Sequence, residues 1–276
     1  MNKTTINNNK NKIKTSNNNL SSASQVQSLS RGLTLLKYIS TSVGGVSLTD
    51  LATQAGFANS TTHRLLETLK QHGFIRQIGE LGLWVIAANA FIIGSGFLKN
   101  RNFLATVHPI LRKLMEESGE TVNLAILDRT KYDAVIVDQV QCNALMRMSA
   151  PIGGKLPMHA SGAGKALLAA LPKSQRLPLL EKQKLHAYTP YTLTSPSALE
   201  ENFSDIRTKG FAYDNQEHAL GLRCIGACIY DEYQEVFAAV SISGPSSRIT
   251  NDRINELGSA ILQAAKQISH EYGAIH

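Results

Sequence analysis

The stretch HASGAGKALLA, residues 159–169, sets a serine, two glycines and a lysine at the mouth of an apolar run. A nucleotide-binding loop requires a glycine, four spacers, then Gly-Lys and a hydroxyl residue for magnesium. Here His159 stands where the first glycine belongs, and Ala166 follows Lys165 in place of the hydroxyl, so ATP-type chemistry is excluded. What remains is a glycine-rich entry into a helix, whose unused N–H groups and dipole suit a small anion such as a carboxylate. A turn that holds nothing is the plainer alternative.

A second set of reactive groups lies further along. CIGACIYD and EVFAAVSISG read as strands joined by a tight turn at DEYQ. That turn sets Asp231 opposite Gln234 and Cys224 opposite Ser241. Alternation then places Cys224, Ser241 and Ser243 on one face and Arg223 on the other. Two hydroxyls and a thiol near an anion-friendly helix start make a small polar pocket, unless Cys224 is simply core. Asp214, His218 and Cys224 can also be drawn as a thiol triad, but closeness in sequence is not geometry, and no catalysis is expected. Cys142, Cys224 and Cys228 form no CxxC pair and no histidines cluster beside them. Neither zinc, another metal, a cofactor nor a disulfide framework is expected, and a reducing cytoplasm fits.

The elements that must position these groups are α+β in class. After an Asn-rich opening of 24 residues, expected to be a disordered basic tail, SLSRGLTLLKYIS puts Leu29, Leu33, Leu36 and Ile39 at helical spacing. SLTDLATQAG carries a capping pattern at Ser47 and Asp50 and a stop at Gly56. NSTTHRLLETLKQHG starts a third helix, capped by Asn59 or Ser60, with Leu65, Leu66 and Leu69 as its buried stripe. FIRQIGELGLWVI then alternates as a hairpin. This order is that of a winged helix-turn-helix, whose third helix enters the major groove. Ser60, Thr61, Thr62, His63 and Arg64 crowd its first turn, hydroxyls and N–H groups for phosphates and Arg64 for a guanine edge or a phosphate. Beyond it, a helix to about Lys99, a break near residues 100–102 and a helix closing at Gly119 form a connector. TVNLAILD, DAVIVDQV and LMRMSAP read as strands, and the last helix runs from Asp252 to Tyr272.

Charge agrees with that division. The chain of 276 residues carries +7. Of this, +6 falls in residues 1–90, with 9 Lys and Arg against 3 Asp and Glu, the footprint of a polyanion such as duplex DNA. Apolar runs fall well short of the roughly 18 to 20 residues a bilayer crossing needs.

The stretches MRMSAPIGGKLPMHASGAGKALL, QEHALGLRCIGACIYD and VSISGPSSRIT, with STTHRLL in the third helix, resemble the IclR family of bacterial regulators from about Gln25 to the end. Within it the chain looks most like repressors of allantoin utilisation. The resemblance implies a tail (1–24), a winged helix-turn-helix (25–88), a linker helix (89–106) and a GAF-like mixed effector domain (107–276), assembled as a homodimer or a dimer of dimers. It implies glyoxylate as effector, held by Ser161, Gly162, Ala163, Asp214, Cys224, Ser241, Ile242 and Ser243. Asp214 would accept hydrogen bonds from the gem-diol of hydrated glyoxylate. Trp84 departs from the tyrosine that many members carry in the wing. An IclR-type regulator, even an activator, answering to another small acid is the rival reading.

Overall fold

The computed structural model describes residues 26–99, 103–182 and 184–274, in two compact units that divide between Asn100 and Arg101. The expected tail and the expected break at 100–102 lie outside the described residues.

The first unit runs α1 (Gln27–Thr41), α2 (Leu48–Ala55), α3 (Asn59–Gln71), β1 (Ile75–Ile78), β2 (Leu83–Ile86) and α4 (Ala88–Lys99). Helix α2 begins on its capping pattern: the Asp50 N–H donates to Ser47 Oγ at 3.1 Å, and Gly56 closes the helix at φ +67°. Two expectations change. Helix α1 turns Gly32, Leu35 and Ile39 inward, while Leu29 and Leu33 are exposed. The 3.6-residue period allows either stripe, and packing against Leu51, Leu66 and Trp84 chooses. Helix α3 starts one residue early, with Ala58 at the N-cap and no side-chain cap, so neither Asn59 nor Ser60 caps it. Leu66 is its fully buried leucine; Leu65 and Leu69 pack at the margin.

The second unit begins with α5 (Phe103–Ser118), whose Phe103 is already core, and follows with β3 (Thr121–Asp128), β4 (Asp133–Val140) and β5 (Lys155–Leu156). Next come α6 (Gly162–Ala170), α7 (Lys173–Lys182), α8 (Pro196–Lys209), β6 (Ala212–Asn215), β7 (Leu222–Tyr230), β8 (Val236–Pro245) and α9 (Ile254–Glu271). The strands form one antiparallel sheet in the order β5-β4-β3-β8-β7-β6. Its alternating side chains feed two cores. Val122, Leu124, Ile225, Val240 and Ile242 pack with α5 and α9, whereas Ala125, Ile136 and Ala239 pack with α6 and α8. The run LMRMSAP is loop, not strand: among the described residues no strand of the sheet pairs with it, and Arg147 is held through its side chain, to Gln141 Oε1 at 2.9 Å and the Ala144 carbonyl at 3.1 Å.

The β7–β8 register also differs from expectation. Cys224 pairs with Ser243, and Gly226 with Ser241. Gln234 takes a left-handed φ of +60°, which lengthens the turn, and a bulge at Ile229/Tyr230 adds a further step. The two steps sum to an even shift, so Cys224, Ser241 and Ser243 still share a face.

Candidate effector site and nucleic-acid interface

The α6 N-terminus lies flush on β7. A Cβ on Gly226 would stand 2.4 Å from the Gly162 carbonyl, and one on Gly162 would stand 3.2 Å from Cys224, so two glycines let backbone meet backbone. Ser161 caps the helix: its Oγ accepts from the Gly164 N–H at 3.1 Å and donates to the Pro157 carbonyl at 2.6 Å. Its hydroxyl is thereby committed to the fold. The Gly162 and Ala163 amides precede the first intrahelical bond and are the donors the helix itself does not use.

Beneath this helix start the sheet presents Asp214 of β6, Cys224 of β7, and Ser241 and Ser243 of β8 as neighbours on paired strands. All four are buried. Ile242 is not among them; its side chain enters the α5–α9 core, leaving only its backbone on the site. Asp214 divides its work. Oδ1 accepts from the Glu217 N–H at 2.7 Å and weakly from the His218 N–H at 3.4 Å, and so caps the turn that follows β6. Oδ2 is fully buried with no hydrogen-bond partner. Loss of solvent raises the Asp214 pKa to about 7; the two backbone N–H bonds oppose the rise, the Glu217 carboxylate adds to it and Lys165 opposes it. Burial likewise pushes the Cys224 thiol well above its usual range, and the Asp214 charge adds to that.

Lys165, the lysine of the GAGK run, faces no ligand. It is fully buried and donates to the Tyr213 carbonyl at 2.6 Å and to Glu217 Oε1 at 2.5 Å. Sequence reasoning missed this pair; a lysine inside the apolar run KALLAAL was its signal, since a buried cation must be matched. Thr189 and Thr192 donate to the Gln216 and Glu217 carbonyls at 2.7 and 2.6 Å, strapping a loop over the Asp214 turn. Among the described residues no group of His, Cys, Asp and Glu is arranged to hold a metal, and the three cysteines are free.

In the first unit, Ser60, His63 and Arg64 are exposed on α3 and Thr61 is half-buried. Thr62 points inward, and its hydroxyl donates to the Ala58 carbonyl at 3.2 Å. The structure therefore brings four of the five predicted contacts to the outer face. With no side-chain cap, the first α3 amides stay available to phosphate. Trp84 is core, its backbone bridged to Val46 at 2.9 and 3.1 Å, so the departure in the wing alters packing and not an exposed contact.

The helix-turn-helix and the effector fold each match a family. The profile described as "IclR helix-turn-helix domain" matches residues 28–79, and "Bacterial transcriptional regulator IclR C-terminal" matches residues 95–270. The chain belongs to the IclR family of bacterial transcriptional regulators. The "Acetate operon repressor" of Salmonella typhimurium is 62% identical over 90% of this chain and 91% of its own. The "HTH-type transcriptional repressor AllR" of Klebsiella pneumoniae is 42% identical over 90% of each chain. The expected bias towards allantoin repressors is thus not supported. The crystal structure of the IclR of Thermotoga maritima superposes with a TM-score of 0.71 at 28% identity, covering 90% of this chain and all of that one. As an IclR-family transcriptional regulator with a helix-turn-helix domain, the chain is a DNA-binding protein. No helix among the described residues is long and apolar enough to cross a membrane.

Proposed function

We propose that this IclR-family repressor controls genes of two-carbon acid metabolism and that glyoxylate, or a carboxylic acid of its size, is its effector. The observation that carries the reading is the unpartnered Oδ2 of Asp214, buried beside Cys224 and within the polar row that continues to Ser243 and Ser241 under the start of α6. A buried carboxyl oxygen without a partner costs free energy unless a ligand completes it. The Gly162 and Ala163 amides and the serine hydroxyls take the carboxylate of the acid, and Asp214 meets its aldehyde or gem-diol end. The identity to an acetate operon repressor favours that class of operon over an allantoin operon.

Catalysis is not part of the reading. The nucleophile in a thiol triad is the thiolate, and burial keeps Cys224 protonated; the curated relatives are repressors. Release of DNA requires that the acid bind one arrangement of the repressor more tightly than the other. The test is a gel-shift titration of acetate-operon and allantoin-operon promoter fragments with the full-length protein, with and without glyoxylate, oxalate and pyruvate. Retention of the acetate-operon fragment and its release by glyoxylate support the proposal. Release by a different acid only, tighter DNA binding on addition of glyoxylate, or preference for the allantoin-operon fragment overturns the corresponding part.

A further inference from the structure

Ser243 is the inner end of a chain of side-chain hydrogen bonds that reaches the surface. Asn123 Nδ2 donates to Ser243 Oγ at 3.2 Å, and Gln139 Nε2 donates to Asn123 Oδ1 at 2.6 Å. Gln141 Nε2 donates to Gln139 Oε1 at 2.9 Å, and the exposed Arg147 donates through Nε to Gln141 Oε1 at 2.9 Å. Asn123 sits directly opposite Gln139 on β3 and β4. Asn123 is buried, Gln139 half-buried and Gln141 exposed, so the chain runs from the buried polar row to solvent.

The direction of this chain is not arbitrary. A guanidinium has donors only, so Gln141 must turn its oxygen to Arg147 and its nitrogen inward. Gln139 and Asn123 must then do the same, because each amide has one accepting and one donating end. The last link uses a lone pair of Ser243. Asn123 Oδ1 is already taken by Gln139, so Asn123 does not call on the Ser243 proton. That O–H is therefore left to point at the Cys224 thiol, its hydrogen-bond partner on the side where Asp214 also lies, and a bound acid would take it over from the sulfur.

We propose that Arg147, Gln141, Gln139 and Asn123 form a directional relay that fixes Ser243 as a hydrogen-bond donor to the pocket and couples the pocket to the exposed 142–149 loop. Asn123 and Gln139 are positioning residues; they act on a bound acid through Ser243. The loop they reach carries Leu145 and Met146 fully or largely exposed, and Arg248 holds it to Glu120 by donating to both carboxylate oxygens at 2.6 Å and to the Met146 carbonyl at 3.0 Å. Occupancy that pulls on Ser243 therefore has a continuous polar path to that loop, and bonds in such a path polarise one another. The effector half of this inference rests on the function proposed above; the relay itself does not.

The experiment uses the full-length, perdeuterated protein with 15N at asparagine. The Asn123 side-chain pair is assigned by its loss in Asn123→Asp. In Arg147→Ala that pair should shift although three hydrogen bonds separate the two residues, and in Arg147→Lys, which keeps a donor, it should stay near its wild-type position. Calorimetry with glyoxylate should show affinity reduced about two- to tenfold in Arg147→Ala and recovered in Arg147→Lys. Asn123→Asp should lose more, because a carboxylate claims the Ser243 proton. An unmoved Asn123 pair in Arg147→Ala, or unchanged affinity there while wild type binds, overturns the relay. A pair that shifts in Arg147→Ala, together with a wild type that binds no glyoxylate, upholds the relay and removes the effector assignment instead.

Discussion

Asp214 decides how the proposed effector site would treat charge. With a pKa of about 7, it is largely protonated at pH 6 and largely ionised at pH 8, facing Glu217, Lys165, Cys224 and His218. In the proposed site glyoxylate would place its one carboxylate on the α6 amides, whereas oxalate would also have to set one against Asp214. Oxalate should therefore lose more affinity than glyoxylate between pH 6 and pH 8, and Asp214→Asn should flatten the difference; calorimetry at both pH values checks it. Equal losses would mean that the second end of the ligand does not meet Asp214. The same group sets a stability slope. The folded chain holds this proton up to about pH 7 while the unfolded chain releases it near pH 4, so stability falls as pH rises through that window. Asp214→Asn should remove that part of the slope in denaturant titrations. On α3, Arg64→Ala should weaken operator binding by about 1 to 3 kcal/mol if it reads a base edge, while Thr62→Val, whose hydroxyl is spent on Ala58, should leave operator affinity unchanged in the same gel shifts.

At the level of elements, the site depends on how closely α6 can approach β7. Gly226→Ala must push the helix off the sheet, since its Cβ would overlap the Gly162 carbonyl and the Ala163 nitrogen. Overpacking of this kind costs about 1 to 3 kcal/mol, and effector affinity should fall with it. Gly96→Ala on α4, where nothing lies within 4 Å, should instead stabilise by up to about 1 kcal/mol; thermal melts of both separate packing from helix propensity. Much of this architecture was legible in the chain. Capping at Ser47, the stop at Gly56 and the alternation of β3, β4, β7 and β8 are local signals, and they were met. Short β6 and the Pro-containing α7 were not foreseen, because four residues carry little periodicity and Pro178 sits inside the helix. The choice between α1 stripes, the inward turn of Thr62 and the Lys165–Glu217 pair depend on contacts far apart in sequence. The site residues taken from the family likeness lie together, apart from the Ile242 side chain; counting along the hairpin already put Cys224, Ser241 and Ser243 on one face, but the closeness of Asp214 on β6 and of the α6 start could not be counted from the chain alone.

For the whole molecule, most of the net charge belongs to the N-terminal third. Deleting residues 2–20, which carry lysines and no acidic group, should weaken binding to all duplex DNA alike and make affinity less steep in salt, since phosphate contacts without base contacts act through counterion release. A truncation that changed operator preference would give the tail a role in reading sequence. Fluorescence anisotropy on operator and random duplexes over a salt series measures both.

The β7–β8 hairpin has a consequence for length changes. It already holds two irregular steps, a bulge at Ile229/Tyr230 in β7 and the left-handed Gln234 in the turn, and together they keep Ser241 and Ser243 on the face of Cys224. One residue inserted between Asp231 and Glu235, if the turn kept its geometry and the β7–β8 pairing slid by one, would exchange the two faces of β8: the serines would enter the core under α9, and Ile242 would turn to the Cys224 side. Two inserted residues would slide the pairing but keep the faces. The hairpin therefore counts in twos, and an insertion scan there should alternate between misfolded and effector-competent proteins with the parity of the insert.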